Sequence, residues 1–310
     1  MALGGGTFTS QNKTLPGSYI NFVSASSASA ELSERGIVTM PLELDWGPEN
    51  EIFTVTSEDF MKNSLEIFGY AYNSDKLKGL RDLFAGARLL YAYRVNGGGE
   101  KASCNIATAL YGGERGNQIK IVVQANADNE SLFDVRTYLD VQLVDAQTVS
   151  GAKELKANGF VTFHPDASLA VTAGTTMSGG TNGEADGESY QGYLTRAESY
   201  TFHTMGLAVT DDTTKKLFAA FNRRMRDEMG IKFQLVVYNL ASADYMGVIS
   251  VKNKCTDGME KTAEGVTYPN EAALVYWVTG AQAGCAVNKS CQNMVTIHSR
   301  FDGTTNKAEL

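Results

Sequence analysis

Residues 201–239 constrain the fold more tightly than any other stretch of this chain. "TFHTMGLAVT" reads as an apolar strand, "DDTTKKLFAAFNRRMRDEM" as a helix, and "IKFQLVVYN" as a second strand. Leu217, Phe218, Phe221 and Met225 recur at helical spacing and so share one face. Asp211 and Asp212 stand where the helix begins, and carboxylates there cap orphan N–H groups and complement the helix dipole. Gly230 is a natural stop. Two strands joined through such a crossover lie parallel, which sets this part of the chain as α/β.

A similar pattern occupies residues 36–96. "GIVTMPLEL" and "EIFTVT" read as strands about the turn "DWGPEN". Ser57 is placed to cap a helix carrying Phe60, Met61, Leu65 and Phe68, and a second helix starting at Ser74 precedes the strand "RLLYAYRV". Residues 97–183 are different. "ASCNIATALY", "QIKIVVQA", "FDVRTYLDVQLVDAQTV" and "GFVTFH" have β-branched content and turn punctuation, with no convincing helix between them. After residue 184 helices return, ending in one near Pro269 that carries "EAALVYWVTGAQAG". The first 35 residues, with a glycine triplet and the linker "SASSASAELSER", hold too little apolar surface to fold alone and read as an arm.

The expected fold class is therefore α/β plus all-β and multidomain. An α/β core carries an inserted antiparallel β-sandwich or barrel-like domain and an extended N-terminal arm. The units are 1–35 (arm and linker), 36–96 (α/β), 97–183 (inserted β, ending in the flexible tip "SGGTNGEADGE"), 184–293 (α/β core) and 294–310 (a divergent or truncated tail).

Charge excludes some partners. A net charge of -8 is the wrong sign for a surface that neutralises phosphates, so nucleic acid is not expected. No run approaches the length of a membrane helix, and "MALGGGTFTSQNK" lacks the features of a signal peptide. Cys104, Cys255, Cys285 and Cys291 fit neither a redox pair nor a zinc knuckle, so reduced thiols in a reducing cytoplasm are expected.

Catalytic candidates are few. His164, His203 and His298 fall in separate segments with no nucleophile or orienting group beside them in sequence. Asp211 and Asp212 are better read as caps than as an acid/base couple. Arg223, Arg224 and Arg226 form a basic helix face, read as solvated or as a contact for an acidic neighbour. The clusters "NGGGEK" (96–101) and "YGGERGN" (111–117) lie between apparent strands, whereas a phosphate loop runs from a strand into a helix, so both read as hairpin turns. Asp186 lacks the companions of a calcium loop. No catalytic residue, cofactor or metal is assigned.

"LPGSYINFVSA" followed by "ERGIVTMPLELDWGPENEIFTVTS", then "ALYGGERGNQIKIVV" and "EAALVYWVTGAQAGCAVNKSC", resemble the tail sheath protein of contractile phages and phage-like contractile particles, in order and up to about Asn293. That resemblance implies a non-enzymatic subunit that polymerises around a tail tube and contracts to drive it through the host envelope. Its implied partners are other copies of itself, the tail tube protein, and baseplate and tail terminator proteins. Its implied place is the virion tail, assembled in the bacterial host cytoplasm. Terminal arms of such proteins add strands to neighbours, so Tyr19, Ile20, Asn21, Phe22 and Val23 are the expected inter-subunit segment. Family members continue into a further α/β portion after this region. From about Met294 the chain departs from that pattern, as a truncated, frameshifted or divergent copy would, and weakened assembly is expected. The alternatives are a tail-tube or baseplate component and a nucleotide-binding or hydrolytic α/β enzyme.

Overall fold

The computed structural model describes residues 35–257, 260–262, 265–267 and 269–286. The expected arm segment Tyr19–Val23, His298 and Cys291 lie outside them. Strands β1 (Ile37–Leu42) and β2 (Ile52–Thr56) lead into helix α1 (Ser57–Phe68), followed by α2 (Lys78–Phe84) and β3 (Leu89–Arg94). The cap of α1 is Thr56 rather than Ser57. Its hydroxyl accepts from Asp59 N at 3.0 Å and donates to Asp59 Oδ2 at 2.6 Å, so cap and first turn satisfy each other. Ser74 caps a single 3₁₀ turn, Asp75–Leu77, from which α2 continues.

Residues after β3 form β4 (Ala107–Ala109), β5 (Ile119–Ala125), β6 (Phe133–Leu139), β7 (Gln142–Val149), β8 (Val161–Phe163) and β9 (Thr172–Thr176). They make an antiparallel four-stranded sheet in the order β7-β6-β5-β9 and a separate β4-β8 pair. Inward side chains of both, among them Ile119, Ile121, Val135, Leu139, Ala107 and Val161, meet in one apolar core. The chain then enters α3 (Gly187–Ala197), β10 (Thr204–Leu207), α4 (Asp212–Asp227), β11 (Gln234–Tyr238), β12 (Val248–Val251), the hairpin β13 (Glu260–Thr262) and β14 (Gly265–Thr267), and α5 (Leu274–Gly284).

The α/β strands on both sides of residues 97–183 belong to one six-stranded sheet, in the order β12-β11-β10-β1-β3-β2. All neighbours are parallel except β2, which returns antiparallel along β3. Helices cover both faces, and the strand alternation shows it. Val38, Met40 and Leu42 of β1 face a core shared with α1, α2 and α5, whereas Leu235 and Val237 of β11 face Tyr193, Phe218 and Phe221 of α3 and α4. A sheet buried on both faces needs continuous apolar strands, which is how "GIVTMPLEL" and "IKFQLVVYN" read.

Pro41 is unusual in a central strand, because it has no N–H to donate. Backbone bonds place its nitrogen on the β10 side of β1: His203 N donates to Ile37 O there, while Val95 N donates to Leu42 O on the opposite side. Pairing of β1 with β10 stops at Thr39↔Met205, before Pro41. The two strands part beyond that point, and a crevice opens at their C-terminal ends.

Candidate functional site

Two features of the described residues are candidates for function: the joint that holds the β-rich segment to the six-stranded sheet, and the crevice beyond Pro41.

The joint is built from the two motifs that stand out in the sequence. The turn 45–50 follows β1 and carries Trp46, only 1% exposed, into the core of the β-rich segment. There its ring packs edge-on against Tyr111 at 5.3 Å and stacks on Phe160 at 6.1 Å, while Nε1 donates to Glu66 O at 3.0 Å. Arg94, at the end of β3, has a fully buried side chain. It donates to Gly112 O at 2.7 Å and to Gly47 O and Glu49 Oε1 at 3.3 Å. Burial pulls the guanidinium below its ordinary pKa and the Glu49 and Asp45 charges oppose that, leaving it charged at neutral pH. Arg115 of "YGGERGN" donates to Gly69 O at 2.6 Å, pairs with Asp140 and lies 4.5 Å over the Tyr70 ring.

Asp45 links these groups. It accepts from Tyr70 Oη at 2.5 Å and Asn182 Nδ2 at 3.0 Å. Burial raises its pKa, but those two hydrogen bonds, with Lys76 and Arg94 behind them, outweigh burial and hold the carboxyl below its ordinary value. Burial and Asp45 push the Tyr70 hydroxyl well above the ordinary tyrosine range.

The expected hairpin turns at 96–101 and 111–117 are corrected here, as is the expected flexible tip at 178–188. Residues 97–101 and 180–183 are the two chain crossings into and out of the β-rich segment, and they run side by side. Gly183 N donates to Asn96 O and Thr181 N to Glu100 O, both at 3.1 Å. A Cβ at Gly99 would overlap the Thr181 carbonyl, and one at Gly183 would overlap that of Gly97. Glycine is required because two backbones touch. "YGGERGN" is likewise no hairpin. Gly113, at φ +134, leads into the 3₁₀ helix Glu114–Gln118, and a Cβ on it would strike Asp45 O. Trp46, Arg94 and Asn182 were not identified from sequence; the one visible signal is a charged residue, Arg94, near the end of the strand run "RLLYAYRV".

The catalytic candidates are dispersed and each is satisfied locally. His203 Nδ1 accepts from Ile37 N at 3.2 Å, and burial together with Arg35 lowers its pKa. His164 Nε2 lies 2.8 Å from Thr108 Oγ1. Asp211 accepts from Thr214 N at 2.6 Å as the α4 cap, and Asp212 pairs with Lys215 at 2.7 Å. Arg223 lies over the Tyr245 ring, Arg224 pairs with Glu198, and Arg226 donates to Phe233 O at 2.8 Å, so the basic face is internally engaged. Cys104 and Cys255 are free thiols. Among the described residues no set of His, Cys, Asp or Glu side chains could hold a metal ion, and no helix is long and apolar enough to cross a membrane.

The crevice has a volume of about 590 Å³ and is bounded by Glu43 after β1, residues 208–211 after β10, and the N-terminal turns of α3, α4 and α5. Open α/β sheets hold ligands in this position, often with helix N-termini on a phosphate. Here Asp186 and Asp211 already occupy the N-termini of α3 and α4 as caps. Their charge is the wrong sign for a nucleotide.

Three family models cover the chain in tandem. Residues 35–95 match the tail sheath protein Gp18 domain III N-terminal region, residues 97–182 the phage tail sheath protein β-sandwich domain, and residues 183–306 the phage tail sheath protein central domain. The last match runs beyond Asn293, where the motif resemblance stops. The Bacillus subtilis (strain 168) phage-like element PBSX protein XkdK is 35% identical over 98% of this chain and 69% of its own length. Among solved structures, the sheath tail protein of Desulfitobacterium hafniense superposes with a TM-score of 0.77 at 38% identity, covering 91% of this chain and 66% of that one. The sheath tail protein of Listeria innocua gives 0.71 at 33% identity, covering 86% and 61%. The chain thus spans about two thirds of the length of the relatives it matches. With three sheath family models matched in tandem and 35% identity over 98% of its length, the chain belongs to the phage tail sheath protein family.

Proposed function

We propose that this chain is the structural subunit of a contractile tail sheath, which polymerises around a tail tube, meets baseplate and terminator proteins at its ends, and shortens to drive the tube through the host envelope. Family membership carries this reading. Residues 97–183 act in it as an inserted sandwich, and the assembly forms in the host cytoplasm before joining the virion tail.

The joint supports the reading mechanically. A lattice that changes length has to localise its motion, and a body pinned by Trp46, Arg94 and paired glycine crossings resists bending at its own centre. Motion then falls on the segments between bodies. The described chain begins beside the end of α5, where Gly36 N donates to Ala283 O at 2.9 Å. From that anchor the linker 24–34 allows an arm bearing Tyr19, Ile20, Asn21, Phe22 and Val23 to pair with the strand edge of another copy. About five ladder bonds at ~1 kcal/mol each, plus ~1.5–3 kcal/mol for each buried large side chain, oppose the cost of ordering the segment. One junction is modest, and a lattice multiplies it.

Ile20→Pro removes a ladder donor and is expected to abolish sheath-like polymers while the circular dichroism spectrum and melting temperature stay unchanged. Normal polymers from that variant, seen by negative-stain electron microscopy, would refute the arm's role.

A further inference from the structure

The crevice beyond Pro41 shows a consistent chemistry that the assembly reading alone does not use. Its boundary supplies three carboxylates and no lysine, arginine or histidine among the described residues. Two of the carboxylates are half engaged. Asp186 accepts from Ser189 through Oδ1 alone, and Asp211 accepts from Thr214 N through Oδ2 alone, so each keeps an oxygen for a ligand. Glu43 is exposed and receives no hydrogen bond or ion pair among the described residues. The cations around it are engaged elsewhere: Lys215 pairs with Asp212, and Lys76 and Lys78, in the adjoining pocket that shares Glu43, pair with Asp45 and Asp257.

Tyr190 gives an independent indication. Its side chain is only 6% exposed and its ring packs against Phe218, while its hydroxyl opens onto the crevice with no protein hydrogen-bond partner among the described residues. A hydroxyl at a crevice wall with no protein partner is free to bond to whatever enters. Glu43, Tyr276 and Asp211 are the groups whose charges act on that hydroxyl, behind burial itself, to push its ionisation well above the ordinary range. Tyr276, which also lines the crevice, is pushed up to about 12 by burial and by Glu43. Both tyrosines stay neutral and can accept a hydrogen bond from a cation.

We infer that the crevice is a binding pocket for an organic cation, a guanidinium or primary ammonium, held by Glu43, Asp186, Asp211 and the Tyr190 hydroxyl, and that in the assembly a lysine or arginine side chain of a second copy fills it. A bare metal ion does not fit, because the carboxylates are not clustered at coordination distance among the described residues. An anion meets three like charges. The chain itself carries suitable cations: Lys101, Lys153, Lys216 and Lys232 are exposed and form no ion pair among the described residues. The identity of the occupant rests on the sheath reading; the pocket does not.

Two measurements separate these parts. Isothermal calorimetry of the full chain with L-argininamide should show saturable, salt-sensitive binding that the neutral analogue L-citrullinamide lacks. Glu43→Gln should weaken it about tenfold, the effect of losing one charge partner, and Tyr190→Phe should weaken it with no change in melting temperature. Absence of saturation, indifference to both variants, or preferential binding of inorganic phosphate overturns the pocket. Carbodiimide coupling of polymers mixed from ¹⁴N and ¹⁵N chains should then join Glu43 to a lysine of another copy. Normal polymers without that linkage overturn the occupant alone. A chain that binds argininamide but stays monomeric overturns the occupant and the sheath reading together.

Discussion

Trp46→Ala tests whether the sheet and the β-rich segment form one mechanical body. A tryptophan buries roughly 150–250 Å² on folding, worth about 4–6 kcal/mol at ~25 cal/mol per Å². Alanine retains a fraction of that, which brings the packing loss to the ~3–5 kcal/mol typical of a large aromatic truncated to alanine. The Glu66 carbonyl also loses its indole donor, adding about 1 kcal/mol if water does not replace it. The expected cost is therefore about 4–6 kcal/mol, borne by the core that holds Ile119, Val135 and Phe160. Trp46→Phe keeps a ring between Tyr111 and Phe160 and should cost much less.

The second tryptophan, Trp277, packs against the core of the six-stranded sheet, so its fluorescence in the Trp46→Ala variant follows that sheet alone. Urea unfolding followed by circular dichroism and by Trp277 should then give separate midpoints. Hydrogen exchange should accelerate in β5 and β6 more than in β10 and β11. A loss below ~1 kcal/mol, or one spread evenly over both sheets, would refute the claim that Trp46 joins two cores.

Other outcomes follow from the same geometry. Gly183→Ala places a Cβ against the Gly97 carbonyl and should lower the yield of folded protein, whereas Gly151→Ala, with open space around it, should be neutral; expression and thermal melts compare them. The Asp45 carboxyl is held below its unfolded pKa, so its contribution is present above about pH 4 and is lost as pH falls through the folded value. Asp45→Asn should flatten the acid limb of a stability-against-pH curve, and an unchanged limb would count against the joint network. The depressed His203 pKa means the imidazole is neutral in the folded state. Stability is then complete above about pH 6.5 and declines on acidification, a slope that His203→Gln should remove.

Local patterns in this sequence were legible where neighbours along the chain decide the structure. The apolar stripe and Asp211 placed α4, the β-branched runs placed β5, β6 and β11, and the family motifs indicated a sheath protein before any coordinates. The Thr56 cap was missed by one residue because threonine and serine stand side by side and either could cap. The glycine clusters were misread for a deeper reason. A glycine demanded by a tight turn and one demanded by a backbone passing at contact distance look identical in sequence, and Gly99 meets Thr181 from 82 residues away. Asp211 was correctly read as a cap, yet nothing local indicated that Asp186, Glu43 and Tyr190 would gather beside it.

By itself, then, the sequence determined which segments become helices and strands, which side chains are apolar enough to be covered, and which family the chain joins. Tertiary structure alone decided that strands before and after the β-rich segment share one sheet, that Trp46 and Arg94 pin that segment to it, and that Pro41 ends a strand pairing to open an acidic crevice. The reason is the range of the forces. Propensity, capping and periodicity act within a few residues, whereas burial of Arg94 or the closeness of Gly99 to Thr181 exists only once distant parts of the chain have met.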